Sequence, residues 1–376
     1  MQKSTLASAE ISRRTLLKTA AGGSLALGAA QLLAACGSPG GQGQGGSGNN
    51  KTASYANKNL NFFFYTVLVE ALQRSYKEHG YTFETTDAKG DASTQYDQIN
   101  STLLKKPAFL ITNPIDTENL IPLTTRAKNM GVPVGVIDTP LSGGDASITI
   151  AFDNKMGGQL AGEKTLEALK AKYGRPKGKV LNLYGALSAT VWRDRKDGFE
   201  GAFANYPDVQ VISRPTETLQ ENARSVAGAT LSQYPDLDAI HGPTDSLTLA
   251  VLPAMKSANR LKPVGDKAHI ILTSIDGDPI AIQWLKDKIL DASISQDPVA
   301  YAQVCVELLD KYSVKGQAIP LGNYQNDKYI WKKAPIIESK GGPRMVLPPY
   351  LITLDTADDP RQWANIVTKD WGLKET

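Results

Sequence analysis

From residue 58 onward, short apolar runs rich in β-branched or aromatic residues alternate with longer stretches whose apolar positions recur at helical spacing. Such alternation predicts parallel strands joined by crossover helices. Residues 59–65 read as the first strand and its exit. A helix then covers 67–79, with Leu68, Leu72 and Tyr76 near one face and Gly80 as its natural stop. Residues 81–86 alternate as a half-buried strand does, and 93–104 form the next helix, capped by Asp91 or Ser93. The unbroken apolar runs at 108–112 and 132–138 predict strands buried on both faces, with a helix over 120–130 between them. Further strands follow at 148–152, 180–184, 209–213, 239–241, 270–275 and 293–296, and a long helix at 299–312. Helices starting near Lys155, Trp192, Asn222, Leu247 and Pro279 fill the gaps. After Tyr312 the pattern changes to Pro, Gly and aromatic residues, which predicts a tail wrapped over the lobes with a last strand at 351–354.

The first 57 residues lack this alternation. Lys3, Arg13 and Arg14 precede a small, apolar run over 19–35 that stops at Cys36, the pattern of an export signal. Ser12-Arg13-Arg14-Thr15-Leu16-Leu17-Lys18 resembles the twin-arginine motif, with Leu16 where Phe is more usual. Leu33-Ala34-Ala35-Cys36-Gly37 resembles a lipobox, which makes Cys36 the lipidated residue of a lipoprotein signal peptide spanning 1–35. The apolar run of about 17 residues is short for a membrane span. The glycine-dense stretch that follows reads as a tether, 36–57, because glycine loses most entropy on ordering and offers nothing to bury. Lipidation of Cys36 would leave Cys305 without a partner in the chain, and its helical neighbours Val304 and Leu308 make it a core thiol.

The remaining stretch of roughly 320 residues suits two lobes better than one core. A net charge of +3, scattered among carboxylates, gives no footprint for nucleic acid. His79, His241 and His269 are the only histidines, and none has metal-ligand spacing with another His or Cys, so no metal or cofactor is expected. The absence of a Gly-x-Ser-x-Gly elbow and of a phosphate-binding glycine loop argues against an enzyme.

In a parallel α/β sheet, ligands sit beyond the carboxyl ends of the strands. The polar residues at these exits are Asp138, Arg193, Thr244, Asp245 and Asp276. Taken in order, the segments Val132-Pro133-Val134-Gly135-Val136-Ile137-Asp138, Phe152-Asp153-Asn154-Lys155-Met156-Gly157-Gly158, Trp192-Arg193-Asp194-Arg195-Lys196-Asp197-Gly198-Phe199, Ser274-Ile275-Asp276-Gly277 and Ile294-Ser295-Gln296-Asp297-Pro298 resemble those of the ribose-binding-protein-like, type I periplasmic binding proteins. The resemblance covers about residues 58–312 and implies two doubly wound parallel-sheet lobes joined by a three-strand hinge. It implies a first lobe of 58–152 and 297–325, a second of 153–296, and a tail of 326–376 packed on them.

It also implies a ligand set of Phe64 and Tyr65 stacking on a sugar ring, Asp138, Arg193, Asp276, the hinge residue Gln296, and Thr244 where these proteins carry asparagine. Trp192 supplies a further aromatic wall. Asp245, which opens a helix, reads as a cap. Thr139 and Thr218 stand where ribose binders carry an arginine and an aromatic ring, so the expected ligand is a different small sugar or polyol. Carboxylates and a guanidinium grip hydroxyls through charge-assisted bonds without requiring a charged ligand. The expected function is passive capture by a monomeric, lipid-anchored, extracytoplasmic protein that feeds an ABC permease and its ATPase; a sensory receptor for chemotaxis or two-component signalling is the alternative.

Overall fold

The computed structural model describes residues 51–375; Cys36 and the stretches up to residue 50 that read as export signal and tether lie outside the described residues. The first lobe runs β1 (Thr52–Asn57), α1 (Phe63–Glu78), β2 (Thr82–Asp87), α2 (Ala92–Leu104), β3 (Leu110–Thr112), α3 (Ile121–Asn129), β4 (Val134–Ile137) and β5 (Ile148–Phe152). The second runs α4 (Asn154–Tyr173), β6 (Gly178–Tyr184), α5 (Thr190–Ala202), β7 (Val209–Pro215), α6 (Gln220–Gln233), β8 (Leu237–His241), α7 (Asp245–Ser257), β9 (Ile271–Asp276), α8 (Pro279–Lys286) and β10 (Ala292–Ser295). The chain then returns to the first lobe through α9 (Pro298–Lys311), β11 (Gly322–Gln325), β12 (Lys333–Ile337) and β13 (Arg344–Leu347), and crosses once more into β14 (Tyr350–Ile352) and α10 (Trp363–Asn365). The sheets are ordered β11-β12-β13-β5-β4-β3-β1-β2 and β14-β10-β9-β8-β6-β7. Their central strands pair in parallel, as in an α/β protein with helices on both faces.

Two expectations from the pattern differ from this fold. The first strand lies at Thr52–Asn57, inside the stretch read as tether, and occupies an interior place between β3 and β2. Its small residues Ala53, Ser54 and Ala56 are buried, but they carry too little hydrophobicity to stand out. The aromatic run Phe62-Phe63-Phe64-Tyr65, which looked like a strand exit, instead begins α1. The tail is also more than a wrapping. β12 alternates exposed and buried residues with Ala334 and Ile336 inward, and β13 pairs in parallel with β5, so the first sheet extends into it. β14 pairs antiparallel with β10 and gives the second sheet its edge.

The core follows from these layers. α1 and α9 pack together on one face of the first sheet, burying Leu68, Leu72, Val304, Cys305 and Leu309. Cys305 lies against Gly135 of β4, where a side chain on that strand would collide with the sulfur. Burial raises the thiol pKa far above its usual range, so this cysteine is a packing group.

Candidate functional site: the interlobe cleft

The carboxyl ends of strands from both sheets border a cavity of about 210 Å3. On the first-lobe side, β4 ends in Asp138, whose backbone is left-handed with φ of 67° while its N–H stays bonded to the Ile150 carbonyl at 3.0 Å. This conformation turns the carboxylate off the strand line and into the cavity. Its Oδ2 accepts from Lys58 Nζ at 3.1 Å and from the Thr139 hydroxyl at 3.0 Å. Lys58 leaves the end of β1, its N–H donating to Asn113 Oδ1 at 3.1 Å, and its ammonium sits 4.8 Å over the Tyr65 ring. Burial opposes a charge on Lys58, but the Asp138 carboxylate and Tyr65 outweigh it and hold the ammonium above its ordinary pKa.

On the second-lobe side, α4 and α5 cross with their backbones nearly touching. A side chain at Gly158 would strike the Arg195 carbonyl, and one at Gly198 would strike that of Lys155. That close crossing fixes Arg195, which is buried between two flat surfaces, the Trp192 ring at 5.3 Å and the Phe152 ring at 5.6 Å. Its Nε donates to Asn154 Oδ1 at 2.8 Å and its Nη1 to the Pro243 carbonyl at 2.7 Å, leaving a longer 3.5 Å contact with Asp276.

Asp276 closes β9 with φ of 124°, and its Oδ1 accepts from Gln296 Nε2 at 2.7 Å; Gln296 in turn accepts from the Tyr301 hydroxyl at 3.2 Å. Burial pushes the Asp276 carboxyl well above the usual carboxylate range; Arg195 works against that rise, and the nearby Asp245 and Asp138 reinforce it. Phe64, Tyr65 and Trp192 supply aromatic wall, and Thr244 lines the cavity while its hydroxyl caps α7 by accepting from the Leu247 N–H at 3.0 Å.

Residues 53–318 match the family described as the periplasmic binding protein domain, a stretch longer than half the chain. The chain belongs to this family. Its members bind solutes rather than transform them. Over 263 residues, 69% of this chain and 83% of the relative, the binding protein is 27% identical to the ribose import binding protein of Salmonella typhimurium. It is 25% identical over 247 residues to the galactofuranose-binding protein of Escherichia coli, covering 64% of this chain and 75% of that one. A Bacillus halodurans ABC transporter solute-binding protein solved with myo-inositol shares the fold, with a TM-score of 0.70 and 17% identity over 84% of this chain and 99% of the other.

The binding protein brings Phe64, Tyr65, Asp138, Trp192, Thr244, Asp276 and Gln296 to one cavity. Arg193 is not among them and has to be corrected. Helix α5 starts at Thr190, so Trp192 and Arg195, three apart, share the cavity face, while Arg193 is turned about 100° away from Trp192. It is exposed, and its guanidinium folds back onto the Leu187 carbonyl and the Thr190 hydroxyl. The residue that fills the expected place is Arg195, the second arginine of the same motif.

Lys58 is the other functional residue that the sequence reading missed. It lies 80 positions from Asp138 in the chain, so the spacing of residues gave no signal for the pair. Asp245 lies behind the cavity wall, where it accepts from the Gly277 and Asp278 N–H groups at 2.7 and 2.8 Å and from Ser293. The helix cap expected of it belongs to Thr244.

Proposed function

We propose that this protein captures a small neutral sugar or polyol between its lobes and presents it to an ABC permease with its ATPase, acting as a monomeric extracytoplasmic lipoprotein held to the membrane through Cys36. One observation carries the reading: Lys58–Asp138 from the first lobe and Arg195–Asp276 from the second face the same cavity. Each carboxyl group already lies beside a cation, and burial disfavours charge on Asp276, so this desolvated space suits a neutral ligand better than an ionised one. Hydroxyl groups fit better, since each can donate to a carboxylate oxygen and accept from an ammonium or guanidinium. The rings of Phe64, Tyr65 and Trp192 offer apolar faces for the C–H side of such a solute.

With ligand contacts divided between the lobes, binding favours the closed arrangement that a permease would recognise. The proposed ligand set is Lys58, Phe64, Tyr65, Asp138, Trp192, Arg195, Thr244, Asp276 and Gln296. The test is calorimetric titration of the folded protein with D-ribose, D-allose, xylitol and myo-inositol, alongside mass spectrometry of any solute released on denaturation. Saturable binding of a neutral polyhydroxy solute, recovered without chemical change, is expected. Binding of amino acids or sugar phosphates in preference to every neutral sugar and polyol would overturn the reading.

A further inference from the structure

The matched family domain stops at residue 318, and the chain beyond β14 continues into the segment 354–375. This segment reaches the back of the cavity. Trp363, fully buried, donates its indole N–H to the main-chain carbonyl of Asp276 at 3.1 Å. The same ring meets the Phe64 ring edge-on, with centroids 6.3 Å apart and planes at 87°. Phe64 and Asp276 line the cavity from opposite lobes, so one side chain touches the rear of both walls. The segment is fastened on both sides as well. Trp371 lies under the Arg74 guanidinium of α1 at 4.8 Å, Asp358 pairs with Lys286 of α8 at 2.7 Å, and Glu375 accepts from the Ile280 N–H at 2.8 Å.

Asp276 has reason to need this support. Its φ of 124° is a backbone conformation that a residue with a side chain keeps only when its surroundings hold it. Its carbonyl accepts from the Gln296 N–H at 3.1 Å as well as from Trp363. Losing the indole donor would leave that carbonyl with the Gln296 N–H alone, while the Gly277 N–H keeps its bonds to Asp245 and Ser293, so one of the ties that set the direction of the Asp276 carboxylate would be gone.

We propose that Trp363 is a positioning residue of the binding site, setting Asp276 of one lobe and Phe64 of the other relative to each other, and that the segment 354–375 is therefore part of the binding machinery. Its effect on affinity rests on the solute-capture reading above; its effect on Asp276 does not. Hydrogen–deuterium exchange of the full chain, read without ligand, tests the second. Trp363→Phe keeps an aromatic edge against Phe64, removes the donor and leaves a small cavity. The amides of Gly277, Asp278 and Gln296 should then exchange roughly three- to tenfold faster while the central strands of both sheets stay within about twofold. Trp363→Leu should add faster exchange around Phe64.

Unchanged rates at those amides, or a rise spread evenly over both sheets, would overturn the proposal, the second by reducing Trp363 to general packing. In titrations with D-ribose and myo-inositol held well below the melting range of the variant, a weakened Kd in Trp363→Phe supports the positioning role, and an unchanged Kd for a solute that does bind overturns it. Should neither solute bind the parent protein, the titration is made with whichever of D-allose or xylitol binds; if no neutral sugar or polyol binds, the solute reading fails while the exchange rates still decide Trp363.

Discussion

The charge pairs on the two sides of the cleft are built on different plans. Lys58 and Asp138 are joined directly at 3.1 Å, and their side chains keep 16% and 11% of their surface open. Apart from Thr139, Asp138 accepts little else, so much of its capacity points at the cavity. Arg195 and Asp276 are more enclosed, at 6% and 7%, and stand 3.5 Å apart. Each is held chiefly by third parties: Arg195 by Asn154 and the Pro243 carbonyl, Asp276 by Gln296. Behind Asp276 lie the buried carboxyls of Asp245 and Asp278, the latter with neither oxygen hydrogen-bonded. The first lobe thus offers an accessible pair that a ligand can engage without disturbing the fold. The second offers a fixed one, where affinity and folding draw on the same contacts.

The largest effect should come from cutting the fixed pair. Arg195→Ala removes the cation that opposes the rise in the Asp276 pKa and strips partners from Asn154 and Pro243. Breaking one side of a buried pair costs about 3–5 kcal/mol, so binding of any solute that titrates should weaken at least ~100-fold, with a lower Tm. Arg195→Lys should rescue little, because one ammonium cannot reproduce the guanidinium fork between Asn154 and Pro243. Full recovery by lysine in a calorimetric titration would mean that only the charge matters and that the two pairs are alike.

Cutting the open pair should cost less. Lys58→Met keeps the length of the side chain over Tyr65 and loses the contact to Asp138, for an expected loss of about tenfold in affinity and little change in Tm. Lys58→Arg should retain most binding. A Tm drop as large as that of Arg195→Ala would erase the contrast between the lobes.

How much of this could be read from the chain follows the same contrast between local and distant causes. The strands at 110–112 and 134–137 announced themselves because burial on both faces demands largely apolar runs. The exits Asp138 and Asp276 followed from the strands that lead into them, β4 and β9. β1 escaped notice because a central strand made of Thr52-Ala53-Ser54-Tyr55-Ala56-Asn57 gains its place from neighbours rather than from its own hydrophobicity. The choice between Arg193 and Arg195 depended on where α5 begins, and a helix start misplaced by a residue or two rotates each side chain by 100° or more. Lys58 depended on an ion pair across the fold to Asp138, which no local pattern encodes. Trp363 depended on a tertiary contact with a main-chain carbonyl, again invisible in spacing.

The acids behind the fixed pair predict a pH dependence of stability. Burial raises the pKa of Asp278, and that of Asp276 and Asp245, so the folded state keeps protons that the unfolded chain has already released. Stability therefore falls as pH rises from the ordinary aspartate range through the raised folded values, and is insensitive to these groups below that range. Asp278→Asn removes one of them without touching the cavity. Its Tm should exceed that of the parent by about 2–4 °C at pH 8, with the difference closing near pH 4, as read by thermal melts across the range. A lower Tm at pH 8 would show that ionised Asp278 has a partner that compensates its burial.

The smallest effect separates two arginines that sit two positions apart. Arg193 is exposed, and its bonds stay local, to Leu187 in the loop before α5 and to Thr190 in its first turn. Arg193→Ala should shift solute affinity by less than about twofold and Tm by less than about 2 °C, the range expected of a surface substitution. The contrast with Arg195→Ala is informative because both variants remove one positive charge from α5, so the long-range field of the lobe changes similarly in each. Only the direct contacts with Asn154, Pro243 and Asp276 differ. A loss at Arg193 matching that at Arg195 would mean that the helix as a whole attracts the ligand by charge, and that the enclosed pair has no special standing.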